Sequence, residues 1–247
     1  MSKAYVIFTD LDGSLLNHED YSFEEAKPML QKIKDKNIPL IYTTSKTKNE
    51  CQILQKQMNI QEPFIVENGA AIYYPDGSME LLGVEHQKIK TFMDSVSEAF
   101  NIKSFSNMRV EDVMEHTLFS YAQAKEAKSR DFSEPFLIHD ETRLTELEIL
   151  AESAGLKILK GGRFYHCVGI AQDKGEAVKK ALKHYPNRVS VGLGDNYNDV
   201  AMLQAVDVAV LIPHHEGTFI NYEQKDLIKA SHKGSLGWSE ALQGILT

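Results

Sequence analysis

The chain has 247 residues, enough for one large domain or two smaller ones, and its 43% hydrophobic content supports a packed core rather than a disordered segment. A net charge of −8, from 27 Lys and Arg against 35 Asp and Glu, gives no global positive field to hold nucleic acid. Two well-separated cysteines, Cys51 and Cys167, argue against a disulfide framework, no apolar run reaches the roughly 20 residues of a membrane span, and the N-terminal stretch does not read as a signal peptide, so the expected location is the cytoplasm.

In chain order, short apolar runs alternate with helical patterns, the rhythm of a parallel β-sheet. Residues 4–9 (AYVIFT) predict a strand, 22–37 a helix with Phe23, Met29, Leu30 and Ile33 on one face, and 38–44 a second strand. A helix over 47–58 opens with the capping box Thr47-x-x-Glu50, and 63–69 predicts a third strand. Residues 70–82 form a hairpin pattern turned at Pro75-Asp76-Gly77.

From about Gly83 the rhythm changes. Residues 85–100 and 111–130 predict helices, 135–139 a strand, 142–155 a helix closed by Gly155, and 156–169 a hairpin turned at Gly161-Gly162. After Gly169 the first rhythm returns, with a helix over 173–185, a strand over 188–195, a helix over 198–206 and a strand over 207–213. The expected fold is α/β: a doubly wound parallel-sheet core, residues 1–82 and 169–247, interrupted by an α+β domain over 83–168.

Ligands of open parallel sheets bind beyond the carboxyl ends of the strands, so the polar residues at those ends are candidates for chemistry. The first strand delivers Asp10 and Asp12, the second Thr44, Ser45 and Lys46, the third Glu67 and Asn68, and the segment 195–199 delivers Asp195, Asn198 and Asp199. Asp173-x-x-Glu176 has the capping-box pattern and puts Lys174 in the first turn of a helix, where free N–H groups favour an anion. Several carboxylates on adjacent strand ends make an oxygen-rich cage suited to a hard divalent cation such as Mg²⁺. A lysine and a threonine hydroxyl at the same place suit phosphoryl oxygens. Adjacent His214 and His215 read as loop residues, and GLGDNY lacks the third glycine of a dinucleotide fingerprint.

The set DLDGS, Thr44, DKGEAV and GDNYND, in that order over residues 10–199, resembles the haloacid dehalogenase superfamily, and the insertion looks like the C2-type cap of its Cof-like subgroup. TTSKTKNE (43–50), SRDFSEPF (129–136) and GGRFYH (161–166) are similar to the mannosyl-3-phosphoglycerate phosphatases within it. The resemblance implies Asp10 as nucleophile through an aspartyl-phosphate and Asp12 as acid and base. It implies Mg²⁺ held by Asp10, Asp12 through its carbonyl, Asp195 and Asp199, with Lys174 and Thr44 holding the phosphoryl group. It further implies substrate contacts from Ser45, Lys46, Glu67, Asn68, Ser133, Arg163 and Asn198, with Arg163 on the carboxylate of a small glycosyl phosphoglycerate. The implied function is a Mg²⁺-dependent phosphomonoester hydrolase with mannosyl-3-phosphoglycerate as its preferred substrate; the glucosyl form, a phosphomannomutase-like reaction and a receiver-like phospho-acceptor module are the alternatives, and the oligomeric state is open.

Overall fold

The computed structural model describes residues 3–246. The first half of the core contains β1 (Tyr5–Thr9), α1 (Lys27–Asp35), β2 (Leu40–Thr43), α2 (Lys48–Met58), β3 (Phe64–Val66), β4 (Ala71–Tyr73) and β5 (Met79–Leu81). The insertion carries α3 (His86–Val96), β6 (Ile102–Ser104), α4 (Val110–His116), α5 (Tyr121–Lys128), β7 (Ser133–Ile138), α6 (Leu144–Ser153), β8 (Leu156–Lys160) and β9 (Tyr165–Gly169). The chain then returns to the core with α7 (Lys174–Leu182), β10 (Val189–Gly194), α8 (Val200–Gln204), β11 (Val208–Leu211), β12 (Ile228–Lys229) and α9 (Gly234–Ile245).

The core sheet has the order β12-β11-β10-β1-β2-β3-β4-β5; pairing is parallel from β12 to β3, and β4 and β5 close the edge as an antiparallel hairpin. Burial on both faces explains why its strands read as unbroken apolar runs. Along β1, Ile7 packs with Met29 and Ile33 of α1, Cys51 of α2 and Trp238 and Leu242 of α9. Val6 and Phe8 turn to the opposite face, against Ala177 and Val178 of α7 and Met202 and Leu203 of α8. Helices on both faces make the doubly wound architecture.

The second sheet, β6-β7-β9-β8, is antiparallel throughout and belongs wholly to the insertion. One of its faces packs on α3 and α6, with Ile89, Met93, Leu147 and Ala151 meeting Phe136, Tyr165 and Cys167. The neck joining it to the core is pinned by Gln172, whose amide donates to the carbonyls of Glu67 (2.6 Å) and Phe132 (3.3 Å) and accepts from Gly169 N (3.2 Å).

The capping box of α2 is present, with Thr47 Oγ1 accepting from Glu50 N and Glu50 reaching back to Thr47 N. At α7 only half of the expected box forms: Asp173 accepts from Glu176 N, while the Glu176 carboxylate pairs with Lys179. The largely helical stretch expected over 111–130 forms two helices. Thr117 breaks it in extended conformation, its hydroxyl taken by Val113 O and Phe119 N, and Ser120 caps α5 afresh. Strand β6 and helix α9 were not expected from the sequence.

Candidate active site

Each acidic residue reaches the site because a strand ends there. Asp10 follows β1, with its N–H donating to Leu193 O of β10 (2.9 Å), so the two strand ends stay side by side. Gly13 then turns with φ +85°, and a Cβ on it would lie 2.5 Å from Asp195 Oδ2; only glycine lets the loop approach this closely. Asp195 leaves the end of β10. Asp199, in the short turn of 3₁₀ helix that follows, accepts from the N–H groups of Asp195 and Asn196 (both 3.0 Å).

Asp10, Asp195 and Asp199 are all buried, and one carboxylate oxygen from each lies within 4.8 Å of the others. Lys174, 0% exposed at its side chain, donates through Nζ to Asp10 Oδ1 and to Asp199 Oδ1, both at 2.6 Å. Burial pushes the Asp10 carboxyl up to about 7 against the opposing pull of Lys174, with the Asp199 and Asp12 charges adding. Burial would lower the Lys174 ammonium, but Asp10 and Asp199 overcome it and raise it. Asp195 has a single side-chain partner among the described residues, a 3.5 Å contact from Ser14 Oγ, and burial followed by the Asp199 and Asp10 charges holds its carboxyl well above the usual range. Fully ionised, three carboxylates and one ammonium leave a formal charge of −2 at a site whose metal-ligating atoms are oxygens and which opens onto the cavity. That deficit and that donor set fit one divalent cation of the Mg²⁺ type.

Asp12 points into the cavity above this cage. Its Oδ2 pairs with Lys46 Nζ at 2.9 Å, and its buried Oδ1 has no partner among the described residues. Burial opposes the charge on Lys46, yet Asp12 and Glu50 outweigh it and raise the ammonium. Thr44 is buried beneath Ser45 and Lys46, which line the cavity; its hydroxyl accepts from Lys46 N (3.1 Å) and donates to no group among the described residues.

Glu67 and Ser133, expected as substrate contacts, are absorbed elsewhere. The Glu67 carboxylate accepts from Asp131 N (3.0 Å), Phe132 N (3.1 Å) and Ser133 Oγ (2.6 Å), tying the end of β3 to the start of β7, and neither residue lines the cavity. Residues 67–69 run through the left-handed region with φ of +47°, +60° and +90°. A Cβ at Gly69 would stand 2.1 Å from Asp173 O, so this turn seats the loop against the start of α7. Asn68 is buried and accepts from Asn198 Nδ2 (3.0 Å), while Asn198 itself lines the cavity.

Arg163 lies in the turn between β8 and β9 and reaches the cavity. Its Nε donates to His18 Nε2 (3.2 Å), Nη1 to Tyr21 Oη (3.0 Å) and Nη2 to His18 O (3.1 Å), all on the core loop after β1. These contacts latch the insertion to the core. Sequence reasoning missed His18, Tyr21, Arg130 and His166, which also line the cavity. Arg130 was legible in principle, sitting inside SRDFSEPF; it donates to Ser45 O (2.5 Å) and Ala127 O (2.6 Å).

An acidic cage at the carboxyl edge of a parallel sheet, roofed by an inserted α+β layer, defines a capped α/β hydrolase built around aspartates. A family model for haloacid dehalogenase-like hydrolases matches residues 7–159, and the chain belongs to that family, as one of its phosphatases. It is 46% identical over 98% of its length to a glucosyl-3-phosphoglycerate/mannosyl-3-phosphoglycerate phosphatase from Persephonella marina, covering 97% of that protein. It is 33% identical to a phosphatase of the same name from Methanococcoides burtonii, again over 98% of this chain and 97% of the relative. Among solved structures it is similar to a Thermoplasma acidophilum protein (TM-score 0.77, 18% identity, 99% and 100% of the two chains). It is also similar to the sucrose-phosphatase of Synechocystis (TM-score 0.70, 14% identity, 99% and 98%). No helix among the described residues is long and apolar enough to cross a membrane.

Proposed function

We propose that this phosphatase is Mg²⁺-dependent and removes the phosphate of glucosyl-3-phosphoglycerate and mannosyl-3-phosphoglycerate. The observation that carries the chemistry is the buried ammonium of Lys174 bridging Asp10 and Asp199 beside an unneutralised Asp195. Lys174 occupies Asp10 Oδ1 and leaves Oδ2 as the attacking oxygen. Asp10 attacks, the bond to the leaving oxygen breaks, and Asp12 delivers a proton to that oxygen. Water activated by Asp12 then cleaves the aspartyl-phosphate, returning Asp10 and releasing inorganic phosphate. Thr44 and Lys174 hold the phosphoryl oxygens as charge develops. Mg²⁺, held by Asp10, Asp195 and the Asp12 carbonyl with Asp199 behind them, would offset the remaining phosphoryl charge.

The substrate class rests on the two full-length relatives. It is supported by Arg130 and Arg163, which line the cavity and have no carboxylate partner among the described residues, leaving positive charge for a glycerate carboxylate. Residues 83–168 act as the cap over the site. The test is phosphate release across glucosyl-3-phosphoglycerate, mannosyl-3-phosphoglycerate, 3-phosphoglycerate and hexose phosphates at fixed Mg²⁺. Both glycosyl esters should give phosphate with the highest kcat/KM. Preference for a hexose phosphate refutes the substrate, and an isomerised sugar phosphate without free phosphate refutes hydrolysis.

A further inference from the structure

His166 is the second residue of β9, where side chains alternate between the two faces of the sheet. Tyr165 and Cys167 pack with the cluster of α3 and α6, which sends His166 to the other face, in register with Pro135 of β7. Both His166 and Pro135 line the cavity. The imidazole is only 7% exposed, yet neither ring nitrogen has a hydrogen-bond partner among the described residues, and Nδ1 is sealed from solvent. A buried polar ring without partners is costly, so a ring retained only for packing would be better replaced by an apolar one.

The surroundings restrict what the ring can bind. Burial, with the Arg130 and Lys174 charges adding, lowers its proton affinity to a pKa of about 3, so it is neutral near pH 7. With Nδ1 sealed, Nε2 is the nitrogen a ligand can reach, and in a neutral imidazole it donates or accepts according to the tautomer, which suits an alcohol hydroxyl and is a poor match for an anion. Anions are already served by the guanidinium groups of Arg130 and Arg163 in the same cavity. Phe105, Tyr21 and Phe119 add aromatic surface along its walls.

We propose that His166 is a specificity-determining residue that hydrogen-bonds a hydroxyl of the glycosyl part of the leaving group. The assignment rests on the glycosyl phosphoglycerate reading above. It separates three recognition tasks: the phosphoryl group belongs to the aspartate cage, the carboxylate to arginine, and the sugar to the ring on β9.

The experiment measures kcat/KM for mannosyl-3-phosphoglycerate and for 3-phosphoglycerate, which keeps the phosphate and carboxylate and lacks the sugar. In His166→Phe the ratio of the two should fall by about tenfold or more, as expected when a site built for a hydroxyl loses its partner. His166→Gln, which restores a donor and an acceptor, should recover part of that ratio. Thermal melting should show His166→Phe no less stable than the wild type at pH 7.5. A ratio unchanged within twofold in a folded variant overturns the proposal, and so does a proportional loss on both substrates, which would mark a structural ring. If the wild type releases no phosphate from either glycosyl ester, the substrate reading fails by itself. The variants are then compared on glucose 6-phosphate against p-nitrophenyl phosphate, and an unchanged ratio there overturns the role of His166.

Discussion

Asp195→Asn tests the cage most directly, because it keeps the side-chain shape and removes one charge. An Asp195 oxygen lies within 4.8 Å of oxygens on Asp10 and Asp199. At an effective dielectric of about 20, two unit charges at that separation repel by roughly 3.5 kcal/mol. Lys174 offsets Asp10 and Asp199, to which it is bonded, and leaves Asp195 without a cation. Chelated Asp195→Asn should therefore be more stable than chelated wild type by a few kcal/mol, at about 2–4 °C in midpoint per kcal/mol for a chain of this size. Saturating Mg²⁺ should reverse the order. At 100 times its dissociation constant the ion adds about 2.7 kcal/mol to a protein that binds it only when folded, and the variant should gain little of this. Thermal denaturation of both proteins at pH 7.5, with chelator and across a Mg²⁺ series, reads the two effects, and phosphate release should fall with the second. If the chelated variant melts below the wild type, the carboxylate is a structural anchor and the charge argument is wrong. Equal stabilisation of both proteins by Mg²⁺ would place the ion elsewhere.

Lys174→Met leaves the Asp10 and Asp199 oxygens buried without their cation; we expect destabilisation of about 3–5 kcal/mol by chemical denaturation and loss of phosphate release. Arg163→Ala should lower kcat/KM for 3-phosphoglycerate relative to p-nitrophenyl phosphate by about 10²-fold, the effect of removing a charge-assisted pair worth ~2–5 kcal/mol. Equal losses on both substrates would show that its bonds to His18 and Tyr21 are its whole role. Acid should act through the buried histidines. His166 protonates near 3 in the folded chain and near 6.5 when unfolded, so between these values the unfolded state binds the extra proton and stability is lost as pH falls. The stability difference between wild type and His166→Phe should change by about 1.4 kcal/mol per pH unit from pH 6 to 4. A difference independent of pH would refute a neutral buried ring.

The acidic cage was legible because its residues are fixed to strand ends. Asp10, Asp195 and Lys174 are placed by the ends of β1 and β10 and by the first turn of α7, which apolar periodicity locates from local residues alone. The cap contacts depend on pairings that periodicity does not carry. Glu67 and Ser133 meet across 66 residues of sequence, and their attachment to one another removes both from the cavity. Whether His166 or Cys167 faces the site depends on which side of β9 the helices α3 and α6 cover, a tertiary fact. Strand β6 is three residues long, too short for alternation to register. Helix α9 contains Gly234, Gly237 and Gly244, which lower its local propensity, and it is held instead by Trp238, whose indole donates to Thr9 Oγ1 at 2.9 Å.

The neck at Gln172 has an evolutionary consequence. Chain leaving the core after β5 passes Gln172 on the returning chain, where a Cβ at Gly83 would lie 2.5 Å from Gln172 Oε1, and Asp10, Asp12, Thr44, Lys174, Asp195 and Asp199 all lie outside the excursion. A lineage can therefore exchange the whole inserted unit, or let it drift, while inheriting the acidic cage intact. The tie that must travel with such an exchange is the acceptor site at Glu67, which requires two backbone N–H groups and a hydroxyl from whatever segment replaces residues 131–133. A different roof over the cavity becomes accessible by recombination at two closely spaced junctions, without rebuilding the cage at the strand ends.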